Sequence, residues 1–352
     1  MIPLSKPSIG AEEIKNVTDT IKNGYLSQGS QVEAFEQRLS KFLGVDKENI
    51  IATNSGTSSL HLAIILLSEK LSYQVVHVPA TTFIATANTI SHLDKEDDTT
   101  ITFDDIEPDT WNAIPKDGYK ITVDLFGNSC QYNYLKDVLI EDAAEAFGSE
   151  YNGKKCGTLA DFGIFSFFEN KTITTGGEGG AVYAKNRKDA DKIRLLRQQG
   201  KNYSMEFHAD IGFNYRMTEI QAAFGLAQLN RIDNIVKIKM SIHSLYKELL
   251  QDNVQFQREI GIQCPWLTCV KFNSKIKRDK SKELLKRNGV QTRLPFPPVY
   301  YNPPYNGNRG YCPVAENLYD TGLCLPNYPE LKDEQVKMIS RTIEQAVNET
   351  KV

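Results

Sequence analysis

One lysine stands in an unusual setting. The run Phe165-Ser166-Phe167-Phe168-Glu169-Asn170-Lys171-Thr172-Ile173-Thr174-Thr175 leads straight into Gly176-Gly177-Glu178-Gly179-Gly180. A lysine beyond an apolar strand, followed by small hydroxylated residues and four glycines, describes a backbone built for close approach to a ligand. A lysine amine forms an imine with an aldehyde once it is deprotonated, which desolvation and suitable neighbours favour. A surface lysine before a flexible turn has the same local pattern, so the rest of the sequence must decide.

Four further segments bear on it. In Ile140-Glu141-Asp142-Ala143-Ala144-Glu145 an apolar strand ends in acids, and a third acid lies three residues beyond Asp142. A carboxylate at the end of such a strand is placed to protonate the ring nitrogen of pyridoxal 5′-phosphate (PLP), which makes the ring a better electron sink. Capping the next turn is the other use for Asp142. Thr53-Asn54-Ser55-Gly56-Thr57-Ser58-Ser59 precedes an apolar helix, and free N–H groups at a helix start attract an anion such as phosphate; ordinary capping reads the same way. Phe83, just after a strand, could cover the face of a flat cofactor or belong to the core. Gly212-Phe213-Asn214-Tyr215-Arg216-Met217-Thr218 is a polar loop that ends on a helix cap.

The elements that must position these residues follow an α/β rhythm. Strands are expected at Val75–Val78, Thr100–Phe103, Ile121–Leu125, Val138–Ile140, Gly163–Phe167 and Ala181–Tyr183, and helices at Leu60–Leu71, Asp189–Gln199 and Thr218–Ile232. Several strands are apolar at nearly every position, as in a sheet covered on both faces. From about Ile232 the pattern changes to a long helix reaching Leu250, a strand near Trp266–Val270, a helix around Lys282–Arg287, a proline-rich loop from Pro295 to Pro304 and a closing helix Asp333–Val347. The expected organisation is a large α/β domain over 1–235 and a smaller α+β domain over 236–352.

Composition narrows the function. The chain has 352 residues, 40% hydrophobic and 24% charged, with a formal net charge of -3. That balance is typical of globular proteins and gives no global field for nucleic acid or an anionic membrane. No apolar stretch is long enough to span a bilayer, and the first residues do not read as a signal peptide, so a cytoplasmic protein is expected. The six cysteines (Cys130, Cys156, Cys264, Cys269, Cys312, Cys324) show no Cys-x-x-Cys spacing, so reduced thiols and no metal site are expected.

Taken together, the five segments resemble the sugar aminotransferase (DegT/DnrJ) family of the aspartate-aminotransferase fold, and within it perosamine- and viosamine-forming enzymes most closely. The likeness rests on Glu141–Gly148, Phe165–Phe168 with Asn170–Thr175, and Gly212–Thr218, and extends to Tyr25–Gly29, Val290–Arg293 and Leu325-Pro326. It implies a fold type I, mostly parallel sheet with a smaller α+β domain. PLP would be bound by Lys171 as the catalytic lysine, with Asp142 on the pyridine nitrogen, Glu145 near the phenolic oxygen and Phe83 stacked on the ring. Gly56, Thr57 and Ser166 would hold the phosphate, with Asn214 from the other subunit of a homodimer. Tyr25, Ser27 and Arg293 would contact substrate. The implied reaction moves the amino group of L-glutamate to C-4 of a nucleotide-linked 4-keto-6-deoxy sugar. Alternatives are a C-3 keto-sugar aminotransferase, or a non-catalytic sensor that has kept the fold. A sugar dehydratase of this fold carries histidine in place of the lysine, and Lys171 argues against it. A P-loop hydrolase is excluded by the lack of Gly-Lys-Ser/Thr after Gly56.

Three departures from the family pattern stand out. The glycine run after Lys171 is one residue longer than usual and has to be absorbed in a bulge or wider turn. The stretch between Asp124 and Glu141 is short, so the helix before the Asp142 strand should be trimmed. Tyr300 or Tyr301 stands where relatives often carry histidine.

Overall fold

Short apolar strands separated by amphipathic runs dictate a layered α/β arrangement, and the computed structural model has one; it describes residues 1–71, 74–93, 99–202, 207–307 and 310–350. In chain order, α1 (Ala11–Asn23) and α2 (Ser30–Leu43) precede β1 (Ile50–Thr53) and α3 (Gly56–Leu71). Then come β2 (Val75–Pro79), α4 (Ala85–Ser91), β3 (Thr100–Asp104), β4 (Tyr119–Val123) and β5 (Val138–Asp142). A small hairpin of β6 (Glu150–Tyr151) and β7 (Lys154–Lys155) leads to β8 (Phe162–Ser166) and β9 (Gly180–Ala184). After α5 (Arg187–Arg197) and the short strands β10 (Lys201–Asn202) and β11 (Phe207–His208) come α6 (Glu219–Asn230) and α7 (Ile232–Leu250). The last third holds β12 (Gln255–Phe256), β13 (Thr268–Lys271), α8 (Lys275–Arg287), α9 (Pro313–Thr321), β14 (Gly322–Leu325) and α10 (Asp333–Glu349).

The central sheet has the order β1-β9-β8-β5-β4-β2-β3. Strands β8, β5, β4, β2 and β3 are parallel, while β9 runs antiparallel to both of its neighbours, β8 and β1. Alternate residues feed two cores, as the two-residue period of a strand requires. Ile51, Ile164 and Val182 join the core under α3 and α5, while Ile50, Phe165 and Ala181 join the core that packs Phe35 and Leu39 of α2. A third core gathers Ile242, Tyr246 and Leu250 of α7, Val270 of β13, Leu323 of β14 and Ile339 and Ile343 of α10. The core changes along α7, with Ile235 in the second cluster and Ile242 in the third. Trp266 and Phe296, from the later part of the chain, nevertheless pack into the first core.

Several boundaries differ from expectation, each for a local reason. The helix expected at Asp189–Gln199 is Arg187–Arg197: Asn186 caps its start by accepting the Lys188 N–H, and Gln199 at φ 66° lies outside helical space. The helix expected at Thr218–Ile232 starts after Thr218, whose hydroxyl accepts the Gln221 N–H, and breaks at Arg231 before α7. The helix expected from Lys282 begins at Lys275, behind a Ser274 cap. Leu125, expected at the end of a strand, lies in a 3-10 turn after β4. Among the described residues the link from β4 to β5 carries only such turns, at Leu125–Gly127 and Tyr132–Tyr134, in line with the expected trimming. Helices α1 and α2 and strand β1 were not anticipated.

Glu219 ties the start of α2 to α6. It is buried in the first turn of α6, and its carboxylate accepts the N–H groups of Gly29, Gln31 and Val32 at 2.8–3.0 Å, at the start of α2. A carboxylate there answers both the unpaired donors and the positive end of the helix dipole. Glu219→Ala leaves these donors without their acceptor and should lower the free energy of unfolding by about 2–3 kcal/mol. Guanidinium titration of the two proteins measures it, and equal midpoints would show that water replaces the carboxylate at no cost.

Candidate active site

Strands β1, β5 and β8 point their carboxyl ends the same way, and ligands of open α/β sheets bind at such ends. A cavity of about 310 Å³ opens there, walled on its other side by Trp266, Arg293 and Phe296 from the last third of the chain. It brings together eight of the residues singled out from the sequence: Gly56, Thr57, Phe83, Asp142, Glu145, Ser166, Lys171 and Arg293.

Each is held by its local fold. Gly56 and Thr57 open α3, whose first N–H groups have no partner within the helix. A Cβ on Gly56 would lie 2.9 Å from the Cβ of Ser166, and one on Gly180 would lie 2.4 Å from the backbone of Ser55. Glycine at both places lets the helix start seat itself against the ends of β8 and β9. Asp142 ends β5; its Oδ2 accepts the Thr86 hydroxyl at 2.8 Å and its Oδ1 the Ala144 N–H at 3.2 Å. Asp142 therefore caps the following turn while also lining the cavity, so the two uses suggested by the sequence coexist. Phe83 is 57% exposed, which places it at the cavity mouth and not in the core; its ring meets Phe296 edge to face.

Lys171 follows β8 in a loop laced by threonines. Thr174 Oγ1 and the Thr175 N–H both donate to the Phe167 carbonyl, and the Gly177 N–H donates to Thr174 Oγ1. Gly176 and Gly177 stand at φ 88° and 127°, a conformation glycine adopts without strain. The Lys171 amine lies 3.8 Å from Glu145 Oε1 and 4.2 Å from the centre of the Trp266 ring. Glu145 Oε2 accepts the N–H of Phe126, a residue at φ 56° in the turn after β4.

Burial dominates the electrostatics. It pushes the Lys171 ammonium below the usual lysine range, against the pull of Glu145 and Asp142 and with the help of Arg293. It raises the Asp142 carboxyl, against hydrogen bonds from Thr86 and Ala144 and the charge of Lys171. It also raises Glu145, against Lys171 and the Phe126 N–H. The site thus contains an amine that burial makes easier to deprotonate than an exposed lysine, two acids within its field and a neutral anion cradle. This donor set fits PLP: a nucleophilic amine for its aldehyde, a strand-end carboxylate for its ring nitrogen, a helix N-terminus with a serine for its phosphate, and an aromatic face for its ring.

Three expected site residues do not reach the cavity of their own chain. Tyr25 and Ser27 are exposed, and Glu219 pins their loop at the start of α2 through its N–H to the Ser27 carbonyl. Asn214 is exposed as well; its carbonyl accepts the Asn54 side chain at 3.3 Å, which tethers the loop beside the β1–α3 junction. Conversely, the sequence reading gave no role to Thr86, Trp266 or Phe296. Thr86 lay inside the Phe83 segment, where a hydroxyl on a short helix after a strand was a usable signal. Trp266 read only as part of a strand.

On the opposite face of β5, Glu141 meets Asp124 and Cys156, with their side-chain ligand atoms within 4.8 Å of one another and all three residues buried. Burial, then the charge of Asp124, pushes the Glu141 carboxyl well above the usual range, so this pair keeps a proton. The six cysteines are all buried and free. No helix among the described residues is long and apolar enough to cross a membrane.

Known proteins are similar to this chain over nearly its whole length. The chain is 33% identical to the GDP-perosamine synthase of Escherichia coli O157:H7 over 362 residues, covering 97% of each. It is 33% identical to the GDP-perosamine synthase of Vibrio cholerae over 376 residues, covering 99% of this chain and 100% of that one. The Streptococcus pneumoniae protein Spr1654, solved in PMP and PLP forms, superposes with a TM-score of 0.89 in its PMP form at 25% identity, covering 99% of this chain and 98% of that one. With residues 7–344 matching the family's sequence model and the lysine, acids and helix start meeting in one cavity, the chain belongs to the DegT/DnrJ/EryC1/StrS aminotransferase family.

Proposed function

We propose that this enzyme transfers the amino group of L-glutamate, through PLP, to C-4 of a nucleotide-linked 4-keto-6-deoxy sugar. The observation that carries this reading is the meeting of Lys171, Asp142 and Glu145 in one cavity with the α3 N-terminus. The two GDP-perosamine synthases, alike over nearly their whole length, support the sugar and its C-4 position.

When bound, PLP supplies an electron sink for the carbon that loses or gains a proton. Lys171 would have two duties: to hold the cofactor through its amine, and to move a proton at the substrate carbon. Its burial serves both, because each needs a neutral amine at working pH. Asp142, steadied by Thr86 and Ala144, would stand against the ring nitrogen and favour its protonated form. Glu145, fixed by the Phe126 N–H, would lie toward the phenolic oxygen. Phe83 would cover the ring, and Gly56, Thr57 and Ser166 would take the phosphate. Arg293, the cation in the far wall, takes an anionic group of the substrate.

The phosphate brings nearly two negative charges to a cradle of neutral donors. A homodimer in which the partner copy adds its Asn214 loop supplies further donors, and it gives the exposed Tyr25, Ser27 and Asn214 a site to complete. The same lysine and acids serve a C-3 keto sugar, so the position of attack rests on the likeness to the perosamine synthases alone.

Three outcomes are expected. Borohydride should fix PLP to the peptide containing Lys171, and Lys171→Ala should lose both the label and the yellow colour; a label on another lysine removes the central assignment. Asp142→Asn should fold as the parent and transaminate at least about two orders of magnitude more slowly, a barrier increase of about 2.7 kcal/mol. Stopped-flow absorbance with glutamate measures this, and a parental rate would hand the role to another acid. Finally, a panel of GDP-, UDP- and dTDP-linked 4-keto and 3-keto sugars, with products read by mass and proton coupling, should yield the 4-amino sugar; an amine at C-3 overturns the proposed position.

A further inference from the structure

Trp266 lies outside every motif quoted above, yet it is buried in the cavity wall and held there by several contacts. It is 2% exposed. Its backbone N–H donates to the Phe126 carbonyl at 3.3 Å, and its own carbonyl accepts the buried Lys239 amine at 3.0 Å. Its indole ring lies parallel to Phe296, 8° off and 6.1 Å between centres. The indole N–H donates at 2.7 Å to the carbonyl of Asn170, the residue directly before Lys171. The face of the same ring lies 4.2 Å from the Lys171 amine. One side chain thus grips the lysine at both ends, backbone and amine.

We propose that Trp266 is a positioning residue for Lys171, seating the free ε-amine on its indole face while its N–H fixes the loop that carries the lysine. The proposal rests on the reading of Lys171 as the cofactor lysine. A lysine that alternates between holding the cofactor and carrying a proton spends part of each turnover unattached. A long flexible side chain then has many rotamers, and a fixed seat confines it near the reacting carbon. The ring also bears on charge. Its π face favours the ammonium at this distance, as do the carboxylates of Glu145 and Asp142. Burial and the Arg293 guanidinium, itself over the Trp266 and Phe296 rings, oppose it. Trp266 therefore holds the amine's proton affinity up against desolvation, so that the lysine can still take a proton.

The sign follows directly. Removing a ring face that favours the charged form lowers the pH at which the amine becomes neutral. Trace acetylation of the cofactor-free full chain across a pH series, with the Lys171 peptide quantified by mass spectrometry, reads that midpoint without any turnover. Trp266→Leu should shift it down by roughly half a unit to one unit. Trp266→Phe keeps a ring face and should lie between leucine and the parent. In the holoenzyme, the leucine variant should lose about tenfold in kcat, beyond any change in the KM for glutamate. A polyfluorinated tryptophan placed at position 266 keeps the shape and the N–H but empties the ring face of negative charge; it reads the same midpoint if the leucine variant fails to fold. Unchanged Lys171 midpoints in the folded variants overturn the proposal. Borohydride trapping on the parent tests the cofactor lysine separately, so either reading can fail without the other.

Discussion

A lysine amine taken out of water is the constraint to which the rest of this site answers. An unpaired buried ammonium is costly, and the cost is relieved by losing the proton or by gaining partners. Lys171 has both options within reach: Glu145 at 3.8 Å and an aromatic face at 4.2 Å favour the charge, while burial and Arg293 favour its loss. These opposing influences set the proton affinity of the amine, which suits the proposed role of a group that is nucleophile and proton carrier in turn. Moving any one of these partners shifts the balance, which explains why each is itself anchored. Glu145 is held by a backbone N–H, Asp142 by a hydroxyl and a second N–H, and Trp266 by four separate contacts.

The sheet is what makes such anchoring available. Parallel strands end together, so β5 and β8 deliver Asp142 and Ser166 to the same edge, and β1, parallel to them through β9, delivers the start of α3 beside them. The last third of the chain closes the cavity from the opposite side. Its contribution is aromatic and cationic, whereas the sheet edge contributes acids, hydroxyls and backbone donors. A ligand bound between them bridges two surfaces of different chemistry.

How much of this could be read from the sequence depended on where the signal lay. Strands with uniform apolar runs, such as Val138–Ile140 and Ala181–Tyr183, announced themselves because both faces are covered. Residues tied to a motif, such as Lys171, Asp142 and Gly56, could be placed because glycines, acids and strand ends fall at fixed offsets from them. The misses have other causes. Helix α1 buries Glu13 and Thr20, so its inward face does not read as apolar, and Glu13 is instead satisfied by Arg231, Gln228 and the Gly10 N–H. Strand β1 runs directly into the Thr53–Ser59 segment, which reads as a helix start. Trp266 reaches Lys171 across 95 positions of sequence, and its contact depends on the Phe126 turn and on Phe296; no local pattern encodes an encounter set by tertiary packing. Tyr25 and Ser27 could be recognised by likeness, but their distance from the cavity of their own chain could not.

The reversed strand β9 has a mechanical consequence. Because β9 returns beside β8, the Lys171 segment forms the bend of a hairpin, with both ends fixed at the same sheet edge. The lysine belongs to the outgoing limb, gripped through Asn170, whereas Gly177 lies in the far part of the bend, where a Cβ would meet nothing within 4 Å. The limb that carries the amine is therefore anchored independently of the open tip of the bend.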